Sequence, residues 1–326
     1  SVFMGIVAVR DIHSKQDSLD VRHLLVIGMF YFFSSCIQYF DVSDLTFLSP
    51  NRTTVGRGVT SLAAEPTFHA TILFFLSWYG WAIYRERVAR HLDFSRRDQR
   101  VLGLLFFINA LGIVFFARSA MVIIWVLVLL MILSLSPKRA VVIMLSLTFG
   151  YYMVSFTGFL KGSRVHDIYL VLSSDGVRNL IIRDASINER ISAAIFPYLG
   201  LIKNYFLPGG VASYASMAEV LRSESNGLFL YGTSDKIMSF VGTYVYELGL
   251  LGITLIIGFS RILFATTLWG FGISLYILML SNTSIPLGSG YLPLILGIAA
   301  ANSKQRIRQI FMKQVEYDRK LQVEGG

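Results

Sequence analysis

Glu65 and His69 stand four residues apart in the run Gly56-Arg57-Gly58-Val59-Thr60-Ser61-Leu62-Ala63-Ala64-Glu65-Pro66-Thr67-Phe68-His69. Pro66 suits the first turn of a helix, so Glu65 is expected at the helix N-terminus, where the macrodipole favours an anion. Spacing i, i+4 puts His69 on the same face. A carboxylate and an imidazole beside Arg57 make an acid/base site. The plainer reading is that Glu65 caps the helix and His69 packs beside it.

Arg118 lies in Phe115-Phe116-Ala117-Arg118-Ser119, between two uncharged apolar runs with almost no loop between them. It either snorkels and fixes a tight turn or binds an anion at the membrane surface. Farther along come Lys161, Arg164, Arg178, Arg183, Arg190, Lys203, Arg222 and Lys236. Singly these are solvated charges. Together they suit an anionic partner, because guanidinium forks match phosphate oxygens bidentately. Asp235 stands beside Lys236 in Ser234-Asp235-Lys236. Glu247, in Glu247-Leu248-Gly249-Leu250-Leu251-Gly252, is expected one or two turns inside a span, facing its neighbours. Tyr205, Phe206, Tyr214 and Tyr231 are aromatic residues of the same stretch. The chain has no GxxxxGK[ST], GxGxxG-after-strand or HExxH motif and no His/Cys cluster, so neither metal nor cofactor is expected.

These groups are set in an apolar chain. Of 326 residues 54% are hydrophobic and 15% charged, against about 25% charged in soluble domains. That excludes an ordinary soluble protein. The net charge of +9 then reflects topology and anionic lipid rather than nucleic acid. Cys36 is the single cysteine, so no intramolecular disulfide forms.

Spans of about 20 apolar residues are expected near 24–40, 66–84, 101–117, 119–135, 140–160, 239–260, 262–281 and 285–302. Ser1 to Val9 reads like the end of another, so earlier sequence is expected to be missing. The segment 85–100 carries Arg85, Arg87, Arg90, Arg96, Arg97 and Arg100, which assigns it to the cytoplasm by the positive-inside rule. The expected fold is an all-α polytopic integral membrane protein of about 8–9 transmembrane helices. Its parts are N-terminal spans in 1–160, with periplasmic loop 41–65 and basic cytoplasmic loop 85–100, a large periplasmic loop 161–238, C-terminal spans in 239–302, and a basic cytoplasmic tail 303–326. The apolar stretch 191–207 is read as interfacial or re-entrant, since a span there would place the basic tail outside.

Three stretches carry a family resemblance. The run from Arg57 to Phe68 resembles the arginine-to-"EPS" segment of Wzy-type O-antigen and exopolysaccharide polymerases. Phe116-Ala117-Arg118-Ser119 is similar to the "SR" opening the domain shared by these polymerases and the O-antigen ligases. Arg190, then Pro208-Gly209-Gly210, then Glu247 to Gly252 look like its later part. The ligases' His-Asn pair before "ELG" is replaced here by Met238 and Ser239.

The resemblance implies a GT-C type glycosyltransferase bundle that polymerises undecaprenyl-diphosphate-linked oligosaccharides, within polysaccharide and lipopolysaccharide biosynthesis, without nucleotide sugar or metal. Arg118 and Arg190 would hold the diphosphate and stabilise its leaving charge. The base would be Glu65, Asp235 or His69. Arg57, Arg164, Arg183, Arg222, Lys236 and Glu247 would line the substrate region. Membrane lipids, a chain-length regulator and a flippase are the expected partners; nucleic acid is not. Three other readings stay open. They are a ligase, a flippase or transporter of lipid-linked sugars, and a scaffold for the assembly complex.

Overall fold

The computed structural model describes residues 21–40, 58–63, 65–89, 95–119, 121–123, 125–126, 128–129, 164–231, 237, 239–265, 271–283 and 292–300. Among these every regular element is helical and no strand occurs. The helices are α1 (Val21–Tyr39), α2 (Pro66–Ala89), α3 (Arg96–Leu111, continued by a π-helical turn Gly112–Ala117), α4 (Arg164–Arg183), α5 (Ala185–Lys203), α6 (Tyr214–Glu224), α7 (Phe240–Leu248), α8 (Leu250–Ala265) and α9 (Phe271–Thr283). Two of them, α1 and α3 with its π turn (Arg96–Ala117), are long and apolar enough to cross a membrane, and α8 and α9 are shorter apolar helices. The expected span 140–160, the loop 41–57, the tail 303–326 and most of 119–135 lie outside the described residues.

Local chemistry sets the helix starts. Pro66 opens α2, where its missing N–H would have had no partner anyway. Ser95 caps α3, its Oγ accepting the Asp98 amide at 3.1 Å. The Asp184 carboxylate accepts the Ile187 amide at 2.9 Å at the head of α5. Ser239 caps α7 by accepting the Gly242 amide at 2.8 Å. Each such cap satisfies an otherwise orphan donor.

The chain divides into two compact units, one of Asp20–Glu189 with Arg222–Gly232, the other of Ser1–Leu19, Arg190–Leu221 and Thr233–Gly326. In the first, α1 packs on α2, α3 and the π turn. Small residues permit the close crossings: a methyl group on Gly80 would stand 2.9 Å from Leu105, and one on Gly112 2.5 Å from Leu73. Phe74 meets the edge of Trp125 at 5.7 Å. At the opposite end from Glu65, Asp98 receives Arg22 at 3.4 Å and Arg87 at 3.8 Å, tying the ends of α1, α2 and α3.

In the second unit α7 packs on α8 and α9 around buried Phe196, Phe240, Tyr246, Leu263, Tyr276 and Ile277. Here the structure corrects one expectation. The apolar run 239–260 is not one continuous helix. It breaks at Gly249 (φ 60°, ψ −134°) into α7 and α8; a β-carbon there would stand 2.6 Å from the Phe206 carbonyl and 2.8 Å from the Pro208 nitrogen, so glycine alone fits the break. The stretch 161–238 contains three helices, α4 to α6, with α4 kinked at Gly176 (φ 77°).

Candidate functional site

The first site grows from the segment Gly58–Glu65, which runs from the π turn to the head of α2. The Val59 amide donates to the Phe116 carbonyl at 2.9 Å, and Gly58 lies so close to the Phe116 and Ala117 carbonyls that a β-carbon would overlap both. Farther along, the Ser61 amide donates to Gln38 Oε1 at 2.6 Å, Gln38 Nε2 returns a bond to the Ser61 carbonyl at 3.1 Å, and Ser61 Oγ donates to the Tyr31 carbonyl at 2.8 Å. Ser61 holds φ 53°, a left-handed conformation that only a firm surround maintains. The segment ends at Glu65, whose carbonyl accepts the His69 amide at 3.1 Å as α2 begins. Glu65 therefore stands at the N-terminus of α2, as its sequence position predicts, and its side chain is half-buried.

His69 is 0% exposed. Its Nε2 meets Ser35 Oγ at 3.2 Å, its Nδ1 meets the Val59 carbonyl at 3.3 Å, and Tyr31 stacks on the ring with centroids 6.0 Å apart. Both ring nitrogens are thus spent inside the fold. The residue locks α1, α2 and the Gly58–Glu65 segment together, which is the packing role rather than that of a base in contact with substrate.

Arg118 follows the π turn in the left-handed region (φ 46°, ψ 35°). Its amide donates to the Ile113 carbonyl at 3.0 Å and its Nε to the Phe115 carbonyl at 3.2 Å; the next helix starts with Ile123 donating to the Ser119 carbonyl at 3.0 Å. Arg118 therefore forms the corner of the tight turn expected from sequence. A π turn, a left-handed arginine, a left-handed serine and a glycine pressed on carbonyls all gather at this one end of the unit. Strained backbone and π-helical turns concentrate at functional sites.

The second site is built where Asn204–Ala212 meets the α7–α8 break. The Gly209 amide donates to the Tyr246 carbonyl at 2.8 Å, the Gly210 amide to the Glu247 carbonyl at 3.4 Å, and the Leu250 amide to the Phe206 carbonyl at 3.3 Å. Tyr246 fills a socket walled by Gly200, Gly209 and Tyr214, with its hydroxyl 3.1 Å from Ser213 Oγ. Tyr205 (φ 53°), Phe206 (φ 64°) and Ala212 (φ 67°) are left-handed without being glycine. Glu247 closes α7 half-buried, and Ser239 is consumed as a helix cap.

The other sequence candidates are dispersed. Arg164 opens α4, Arg183 in its last turn pairs with Asp175, Arg190 is half-buried on α5, and Arg222 is half-buried in the last turn of α6. Arg57, Asp235 and Lys236 lie outside the described residues. Glu65 and Arg118 belong to one unit and Arg190 to the other. A residue that sequence reasoning missed is Asn188, 0% exposed. Its Nδ2 donates to the Ile181 and Leu228 carbonyls at 3.0 and 2.8 Å, and its Oδ1 accepts the Tyr231 amide at 3.2 Å. The only local sign of it is a single asparagine four residues after the capping Asp184.

No protein-family model matches the chain, and no curated protein is significantly similar to it.

Proposed function

We propose that the chain is a polysaccharide polymerase of the Wzy kind, which transfers a growing glycan from undecaprenyl diphosphate to a lipid-linked repeat unit at the outer face of a bacterial inner membrane. One observation carries this reading. Residues of the short motifs behind the resemblance, far apart in sequence, pair in space: Gly58-Val59 lies on Phe116-Ala117, and Gly209-Gly210 lies on Tyr246-Glu247. Each pair fixes strained backbone beside a charged candidate, Arg118 with Glu65 in one unit and Glu247 in the other.

In the reaction an acceptor hydroxyl attacks the anomeric carbon of the donor glycan. The new C–O bond forms as the bond to the diphosphate breaks, and the leaving group carries away the electron pair. Glu65 takes the hydroxyl proton in this reading, since His69 is enclosed. Arg118 neutralises the departing diphosphate with fixed donors, and the resemblance gives Arg190 the same role. Met238 and Ser239 stand where the ligases have His-Asn, so the ligases' base has no equivalent at that position of the sequence, which favours the polymerase over the ligase.

The test is elongation of a synthetic undecaprenyl-diphosphate repeat unit by purified protein, without nucleotide or metal, wild type beside Arg118→Ala and Arg190→Ala. A product ladder from wild type alone supports the reading. Folded wild type that yields no ladder with its cognate repeat unit sinks it in favour of the ligase, transporter or scaffold.

A further inference from the structure

The second unit holds a cavity of about 460 Å³ between α5, α7 and α8. Its volume falls within the range of about 300–1,000 Å³ usual for ligand pockets. Leu201, Val241, Val245, Ile253, Ile256 and Ile257 wall it, and Tyr198, Ser260 and Arg261 supply its polar atoms. Two of these three are already committed: the Tyr198 hydroxyl donates to Asn282 Oδ1 at 2.6 Å, and Ser260 Oγ donates to the Ile256 carbonyl at 2.8 Å. Arg261 is exposed, and among the described residues its guanidinium has no hydrogen-bond or ion-pair partner. The groove follows α8 from Ile253 to Phe264, about 16 Å at 1.5 Å per residue.

We propose that this groove binds one anionic glycerophospholipid, an acyl chain lying along the aliphatic wall and the phosphate meeting Arg261. The wall has no free donors or acceptors for a sugar or a peptide, each of which would lose hydrogen bonds to water on entry. A hydrocarbon chain loses none. Exposed Leu199, Ile202, Leu250 and Leu251 on the same helices extend the apolar surface around it, as a lipid contact requires. A single guanidinium at the end of such a groove selects a phosphate, and the groove is far too short for a polyprenyl chain. The site is separate from Glu65 and Arg118 and stands whether or not the chain polymerises glycans. The positive-inside reading of the sequence puts Arg261 on the cytoplasmic side.

Native mass spectrometry of the full chain in detergent tests this, with phosphatidylglycerol and phosphatidylcholine of equal chain length as probes. Wild type should retain one phosphatidylglycerol in preference to phosphatidylcholine. Arg261→Ala should lower that retention about five-fold, the weight of one basic side chain near an anionic lipid. Arg261→Lys should keep it, and Ile257→Trp, which fills the groove, should lose both lipids. Excess glycerophosphoglycerol, which lacks acyl chains, should not displace the bound lipid. Equal retention of the two lipids by wild type overturns the proposal, as does an Arg261→Ala protein that binds like wild type. Loss in Arg261→Ala without rescue by lysine, or displacement by equimolar undecaprenyl phosphate, overturns it as well.

Discussion

Gly209 lies flat against the ring of Tyr246 while its amide donates to that residue's own carbonyl at 2.8 Å. One contact thus seats the side chain and mends the backbone of the same residue.

Gly209→Ala should be costly. The added methyl would stand 2.5 Å from the Tyr246 ring, and overpacking of this kind costs about 1–3 kcal/mol. Gly103→Ala is the control, because nothing lies within 4 Å of a β-carbon there and alanine favours helix. Thermal melts in one detergent should show the first variant well below wild type and the second at or above it.

Arg118→Gly separates catalysis from stability. Releasing an L-residue from the left-handed region returns about 1 kcal/mol, offset in part by the lost bond from Nε to the Phe115 carbonyl. The variant should therefore melt close to wild type yet fail to elongate the lipid-linked repeat unit. Wild-type elongation by this protein would remove Arg118 from the chemistry.

For His69→Ala the expectation is reversed. Its loss leaves the Ser35 hydroxyl and the Val59 carbonyl without their ring partners and opens a void beside Tyr31, costing about 2–5 kcal/mol by analogy with other large-to-small core changes. Melting temperature should fall steeply. The pH profile of elongation, normalised to folded protein, should keep the shape of wild type. Loss of the acidic limb would instead make the imidazole the proton acceptor.

Asp98→Asn removes the charge that both Arg22 and Arg87 approach. These groups are solvent-accessible, so the two pairs together are worth at most about 1 kcal/mol. The melting temperature should drop slightly at low salt and match wild type in high salt, where screening has already weakened the pairs.

Much of the first unit was legible from sequence. The expected spans 24–40 and 101–117 correspond to Val21–Tyr39 and Arg96–Ala117, both long and apolar enough to cross a membrane, while 66–84 falls within the helix Pro66–Ala89, which Pro66 starts as expected. Apolar length and one proline suffice there, since those signals are local. The break at Gly249 was not legible because it is imposed by Phe206–Pro208, some forty residues earlier, whereas hydropathy through Leu248-Gly249-Leu250 is uninterrupted. His69 drew attention as a titratable group near Glu65. Its enclosure depends on Ser35 and Tyr31 of another helix, which no spacing reveals. Asn188 was overlooked for the same reason: its partners are carbonyls at 181 and 228 and an amide at 231.

The interrupted apolar stretch at Gly249 also constrains how the chain can be assembled. At nine and sixteen residues, α7 and α8 each fall short of the roughly twenty needed to span a bilayer alone. The polar backbone bared between them has no water to turn to within hydrocarbon. It is answered by Phe206, Gly209 and Gly210. The stretch is therefore not self-sufficient as a helix: its backbone is complete only with residues 204–212, some forty positions earlier, packed against the break.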